Sequence, residues 1–277
     1  YAQDAWRRLR KNPIAMASIV VLVLMVVLVI FGPLLCGWEY DYMQPTLKNL
    51  PPSAEHWFGT DMLGRDIFAR VCVGGRVSLL IALVCTCVQV VVGCAYGGIM
   101  AYFGGWVDNI MMRVIEVMMS IPYLLVVIIV MMVLDNSVPS LLVALCVTSW
   151  CNTARAMRGV ILQLKSSEYV MAAQSLGAPA RRVILKHLIP NTIGILILNT
   201  ATSIPNYIFQ ESTLGFLGIG LQPPNTSLGV MISLGQAAME FYPLQLIFPA
   251  AALVLIVLAF NLLGDGLRDA LDPKLRK

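Results

Sequence analysis

Between Ile14 and Leu35 the chain carries no charged side chain and only Ser18 as a polar one. At roughly 1.5 Å of rise per residue, a helix over this run is about 33 Å long, enough to cross a hydrocarbon core about 30 Å thick. A buried helix of a soluble protein rarely needs that length. Composition agrees, because 58% of the 277 residues are hydrophobic and 12% are charged, against roughly 45–50% and about 25% in soluble domains. Too little polar surface remains to keep such a particle in water. Arg7, Arg8, Arg10 and Lys11 precede the run as they would in a secretion signal. The apolar stretch nevertheless outruns the roughly 7–15 residues of a signal core, so it reads as a retained first span.

Five further apolar runs cover Val77–Phe103, Val114–Leu134, Val138–Met157, Thr192–Phe209 and Leu244–Leu263. They contain Gly, Pro, Asn or Gln, as expected of helices packed around a path rather than bathed in lipid on every side. The expected fold is all-α and polytopic, with six transmembrane helices. Positive charge sets direction. With the N-terminus inside, the inner segments hold Arg7, Arg8, Arg10, Lys11, Arg113, Arg155, Arg158, Lys165, Arg181, Arg182, Lys186, Arg268, Lys274, Arg276 and Lys277. The outer loops keep Lys48, Arg65, Arg70 and Arg76, mixed with Glu39, Asp41, Glu55, Asp61 and Asp66. This bias places both termini in the cytoplasm, and it accounts for the net charge of +4 without nucleic acid. Long connections at Gly37–Arg76 (outside), Lys165–Asn191 (inside) and Gln210–Pro243 (outside) exceed what linking helices requires and mark functional segments.

Several chemistries are excluded. The seven cysteines lack CxxC spacing; Cys85, Cys87, Cys94, Cys146 and Cys151 lie in apolar runs as small hydrophobes, and pairing of Cys36 with Cys72 across the outer loop stays open. His56 and His187 are too few and too far apart for a zinc motif, and no GxxxxGK[ST] phosphate loop occurs. The chain is therefore expected to have no catalytic or metal-ligating residues, no bound cofactor and no enzyme activity of its own. A membrane enzyme or ion-driven secondary carrier would place paired carboxylates, His or Lys deep in its spans, whereas the deep parts of these spans hold mainly neutral groups such as Gln89, Asn199, Asn206 and Asn261.

The inner loop is the most informative segment. From Ser166 it runs SSEYVMAAQSLGAPARRVILKHLIPN. Ser166 or Ser167 suits a helix N-cap, and Glu168 sits favourably in the first turn. Ala172, Ala173 and Leu176 form a small apolar face, Gly177 suits a left-handed C′ position, and Pro179 forbids simple continuation. A second helical turn is expected to carry Arg181, Arg182 and Lys186 before Pro190 opens the next span. The product is a helix–Gly–helix elbow whose small residues let another protein approach the backbone; on shape alone, an ordinary connector is the competing reading. Elsewhere, Gly93 and Gly97 form a GxxxG pattern, with Gly97-Gly98 and Gly104-Gly105 expected to loosen the inner end of that span. Arg113 and Glu116 are spaced to pair on one helix face, and Pro122 is expected to kink its span as a gate hinge. Glu211 is a candidate to line the path, against a plain solvated role, and Gly215, Gly218 and Gly220 are candidates to shape the outer gate. Gly59, Thr60, Asp61, Gly64, Arg65 and Asp66 are expected to fold into a surface ion-pair network that docks a partner, against a calcium-like or catalytic cluster of Asp61 or Asp66 with Arg65.

The inner loop resembles the EAA loop of ATP-binding-cassette importer permeases: Ala172-Ala173, Gly177 and Pro190 match its spacing, with Met171, His187 and Ile189 as departures. The form EYVxAAxxLGAxxxRxIxxHxxPN is similar to that of the peptide and nickel import group. Further matching segments are RRLRKNP before the first span, His56–Arg70, Asp108–Pro122, Glu211–Pro224 and Leu267–Arg276. The GTDxLGRD segment identifies the C-type subunit of a permease pair. The resemblance implies a type I importer permease fold in a cytoplasmic (inner) bacterial membrane, with residues 1–76 as an N-terminal part and 77–277 as the permease core holding the loop 165–191. It implies a second permease subunit, two ATP-binding subunits carrying ATP and Mg, and an extracytoplasmic substrate-binding protein. Glu168, Tyr169, Ala172, Ala173, Leu176, Gly177, Arg181, Arg182, His187 and Pro190 would be the coupling residues. The cargo is expected to be di- or oligopeptides, with nickel chelates or another small solute as the alternative.

Overall fold

The computed structural model describes residues 2–179, 182–184, 189–222 and 224–271. Regular structure among them is helical, apart from one isolated bridge between Thr60 and Asp66. In order these are α1 (Ala2–Lys11), α2 (Pro13–Cys36), α3 (Ile67–Phe103), α4 (Gly105–Ser120), α5 (Tyr123–Val133), α6 (Val138–Lys165), α7 (Glu168–Ser175), α8 (Ile189–Phe216), α9 (Leu228–Ala237) and α10 (Leu244–Leu271), with a 3-10 turn at Pro45–Leu47. The chain forms two compact units. The first comprises Tyr1–Leu83, Leu134–Leu141 and Ala201–Lys277, the second Val84–Val133 and Leu142–Thr200.

In the first unit, Asn12 ends α1 and starts α2: its side chain accepts from the backbone N–H groups of Ile14 and Ala15, and Pro13 fills the position where a missing N–H costs nothing. α2 packs along α10, and α1 rests on both through Leu9, Ala15 and Ala270. Most of α2 faces outward with apolar side chains, Leu24 and Leu34 among them. Such a surface is stable only against lipid or another protein. α2, α3 and α10 are each long and apolar enough to cross a membrane, and α4 with α5 adds a fourth crossing if the bent pair counts as one. α6 and α8 have the length, 28 residues each, with more polar sequences.

The second unit is built on α3, α4 and α6. Met100, Ile115, Cys151 and Ala154 are buried together, with Tyr96 and Trp150 packed on them. Gly93 and Gly97 lie against α6, where a Cβ at Gly97 would overlap the Ala154 carbonyl. Gly97-Gly98 does not loosen the span as its composition suggests, for α3 is helical from Ile67 to Phe103. Tight packing holds it. The helix stops only at Gly104 and Gly105, both with positive φ. The third apolar run also departs from expectation. It is not one kinked helix but two, α4 and α5, set at 82° to each other. Ile121 is extended (φ −84°, ψ 126°) because the residue before a proline avoids the helical region. The Pro122 carbonyl then starts α5 by accepting from Leu125 and Val126.

Candidate functional site

The elbow begins two residues after α6 ends. The Ser167 hydroxyl points back, donating to the Leu164 carbonyl at 2.5 Å, while its own carbonyl accepts from Val170 and Met171. α7 closes as its sequence suggests: Gly177 has φ +79°, and the Ala178 N–H reaches the Ala173 carbonyl at 3.1 Å, the hydrogen bond of a Schellman cap. Val170 and Val183 are buried in one cluster with Ala101, Met157 and Ile161. The elbow is thus seated on the second unit by its β-branched residues. Its other side is open: Glu168, Tyr169, Ala172 and Gly177 are exposed, Ala173 is partly so, and Leu176 is 88% exposed. Among the described residues no side chain crowds Gly177, since a Cβ there would meet none of their atoms within 4 Å. Arg182 is exposed, and the backbone of Pro190 lies in the first turn of α8. Arg181 and His187 lie outside the described residues.

Around Glu211, in the first unit, the arrangement is closed. Glu211 is 1% exposed, so the solvated role does not apply. Its Oε2 accepts from the Ser78 hydroxyl at 2.6 Å and lies 3.4 Å from that of Ser212. Oε1 receives no hydrogen bond of good geometry, although Ser227, the N-cap of α9, lies near the carboxyl. The glycines permit this closure. A Cβ on Gly215 would stand 2.9 Å from the Val230 nitrogen, and one on Gly220 2.8 Å from the Gly215 Cα. Gly218 takes the left-handed turn between them at φ +75°. Backbones of α8, its following loop and α9 thereby touch without side chains between them.

The long loop before α3 folds onto the same unit. Asp61 accepts from the Arg65 guanidinium at 2.7 Å from both Nε and Nη2, and Arg70 stands 3.7 Å away. This network is buried rather than displayed: Arg65 and Arg70 are 4% and 2% exposed. Arg70 also donates to Thr226 and to the Tyr40 carbonyl. Asp66 pairs instead with His56 (Nδ1 to Oδ2, 2.8 Å) and caps α3 by accepting from the Ala69 N–H at 2.7 Å. Gln245 of α10 donates to Asn49 and the Thr60 carbonyl, and Phe58 stacks on Phe248 at 4.1 Å. Among the described residues no cluster of three or more His, Cys, Asp or Glu is placed to hold a metal, and Cys36 and Cys72 are both free thiols.

Two contacts escaped sequence reasoning. Arg113 and Glu116 do pair as their spacing implies, at 2.8 Å on an exposed face. The stronger pair is Asp108 with Arg158, fifty residues apart, joined by two parallel bonds of 2.6 and 2.5 Å. Lys165 donates to the Tyr102 carbonyl at 2.7 Å. The available signal was Asp108 itself, an acid at the inner end of an apolar run.

Comparison with known proteins adds the family. A model described as the binding-protein-dependent transport system inner membrane component matches residues 93–277. One described as the N-terminal TM domain of oligopeptide transport permease C matches residues 1–52. The chain is 47% identical to the dipeptide transport system permease protein of Bacillus subtilis, over 100% of this chain and 87% of that one. It is 43% identical to the oligopeptide transport system permease protein of the same organism, over 99% and 90%. Against the glutathione transport system permease protein of Escherichia coli it is 37% identical, over 99% and 90%.

Proposed function

This chain belongs to the family of binding-protein-dependent transport system inner membrane components, and from that premise we propose that it is one pore-forming half of an ATP-driven importer of di- or oligopeptides. The other half is a second permease subunit. Two ATP-binding subunits on the cytoplasmic side carry ATP and Mg, and an extracytoplasmic binding protein delivers the cargo. The chain is a transporter part rather than an enzyme.

One observation carries this reading: the open small-residue face of α7. Its buried side is anchored by Val170, while Ala172 and Leu176 face away from the chain. An exposed leucine beside alanines and a glycine suits a groove on a partner, and glutamate at the first helical position adds a polar rim. ATP-driven closure of the ATPase pair pushes this elbow and exchanges inward-open for outward-open states. The names of the relatives, for dipeptide, oligopeptide and glutathione transport, favour peptides as cargo; all three are peptides.

The test is reconstitution of the chain with its sister permease, ATPase subunits and binding protein in liposomes. Leu176→Asp puts a charge on the docking face without touching the packed core. Expected is loss of ATPase subunits from the purified complex and of ATP-dependent peptide uptake, with this chain's level unchanged. Gly177→Trp, which strains the left-handed turn and fills the docking face, is expected to do the same. Full uptake by both variants sinks the coupling role.

A further inference from the structure

The coupling reading leaves open how a push on α7 reaches the rest of the chain. α6 runs to Lys165 and α7 begins at Glu168, so the elbow is joined to α6 with almost no slack. Two cations of α6, seven residues apart and hence on nearly the same face, grip the turn between α3 and α4 from both sides. Lys165 Nζ holds the Tyr102 carbonyl at the end of α3, with the Tyr102 ring centroid 5.7 Å away. Arg158 holds Asp108 in the first turn of α4 by a two-bonded fork. Gly104 and Gly105 lie between these grips, both at positive φ with open space around them. They form a joint with little side-chain resistance. α4 then runs from Asp108 to the 82° break before α5. All of these residues lie in one compact unit.

We propose that Arg158–Asp108, assisted by Lys165 on the Tyr102 carbonyl, is the strut that passes movement of the coupling elbow to α4 and its break with α5. A forked arginine–carboxylate pair fixes direction as well as distance, which a single apolar contact does not. The Asp108 side chain is 11% exposed and that of Arg158 30%, so the pair is shielded from much solvent screening. Asp108 sits at a helix N-terminus, where its charge is favoured without the arginine. Arg158 and Asp108 act as positioning residues: they touch neither the docking face nor any cargo described above.

The inference rests on the proposed importer function, and its test separates the two. In the reconstituted importer, ATP hydrolysis and peptide uptake are measured together, and their ratio is the readout. Asp108→Asn keeps the shape and removes the charge; Arg158→Lys keeps the charge and removes the fork. Both are expected to leave ATPase rates near those of the parent while peptide imported per ATP falls, by roughly threefold to thirtyfold for Asp108→Asn and by less for Arg158→Lys. Asp108→Glu, which retains a carboxylate, is expected to recover part of the ratio. A parent importer that hydrolyses ATP without any peptide uptake overturns the functional reading. A coupled parent whose Asp108→Asn form keeps the same ratio, or loses hydrolysis and uptake in equal proportion, overturns the strut alone.

Discussion

At the scale of single residues, burial separates Glu211 from the exposed coupling candidates Glu168, Tyr169 and Leu176. A carboxyl with the Ser78 hydroxyl at 2.6 Å and almost no solvent contact cannot be removed cheaply, since Ser78 is fully buried and keeps its donor. Glu211→Ala is expected to destabilise the chain by about 1–3 kcal/mol through that orphaned hydroxyl, seen as a lower melting temperature in detergent. Glu211→Gln, which keeps an acceptor for Ser78, is expected to lose less. Equal losses would show that the hydrogen bond contributes nothing. Asp66 serves both His56 and the N-terminus of α3, so Asp66→Ala is expected to cost about 0.5–2 kcal/mol from the cap alone, checked by the same melts. The cap was not read in the sequence, where the apolar run begins only at Val77 and Asp66 stands in a charged loop segment. Nor was the His56 pair, as nothing in the spacing of ten residues specifies that the loop doubles back.

At the scale of elements, the apolar runs found α2, α3, α6, α8 and α10, because length and hydropathy alone decide whether a segment must be helical in lipid. They missed the polar ends: α3 begins at Ile67 rather than Val77, and α6, α8 and α10 run on to Lys165, Phe216 and Leu271. They failed at the α4–α5 break. Its flanks are apolar on both sides, and the one polar side chain at the change of direction, Ser120, donates back to the Val117 carbonyl of its own helix. The signal was a single proline acting on the residue before it. Pro122→Ala frees Ile121 to become helical and is expected to cut peptide uptake several-fold while assembly with the ATPase subunits persists. Unchanged uptake in an assembled Pro122→Ala importer would remove the bend from the mechanism. The elbow was legible for the opposite reason. Gly177, Pro179 and the alanines before them are local instructions, and a Schellman cap needs no distant partner. The Asp108–Arg158 fork is a tertiary contact and left only a charge in an unexpected place.

At the scale of the whole molecule, the functional reading requires the elbow and the loop before α3 to lie on opposite sides of the bilayer. The basic residues of α1, the α6–α7 junction and Arg182 belong to segments that the positive-inside rule assigns to the cytoplasm, while the 37–66 loop balances its cations with acids. Membrane-impermeant maleimide tests this directly, in a chain whose seven cysteines are first replaced by Ser or Ala. In membranes from cells that lack the ATPase subunits, cysteine introduced at Leu176, which projects freely from the chain, is expected to react in inside-out vesicles and not in intact spheroplasts. Cysteine at exposed Glu55 is expected to show the reverse. Reaction of both positions from one side would mean an odd number of crossings has been miscounted between them. Reaction of Leu176→Cys only from outside would remove the elbow from any ATPase in the cytosol. Six crossings satisfy the expected pattern because the 37–66 loop follows the first and α7 follows the fourth, one odd and one even. That parity holds only if α4 and α5 together cross once, so the labelling also decides whether the bent pair is a broken span or a loop that returns to the side it left.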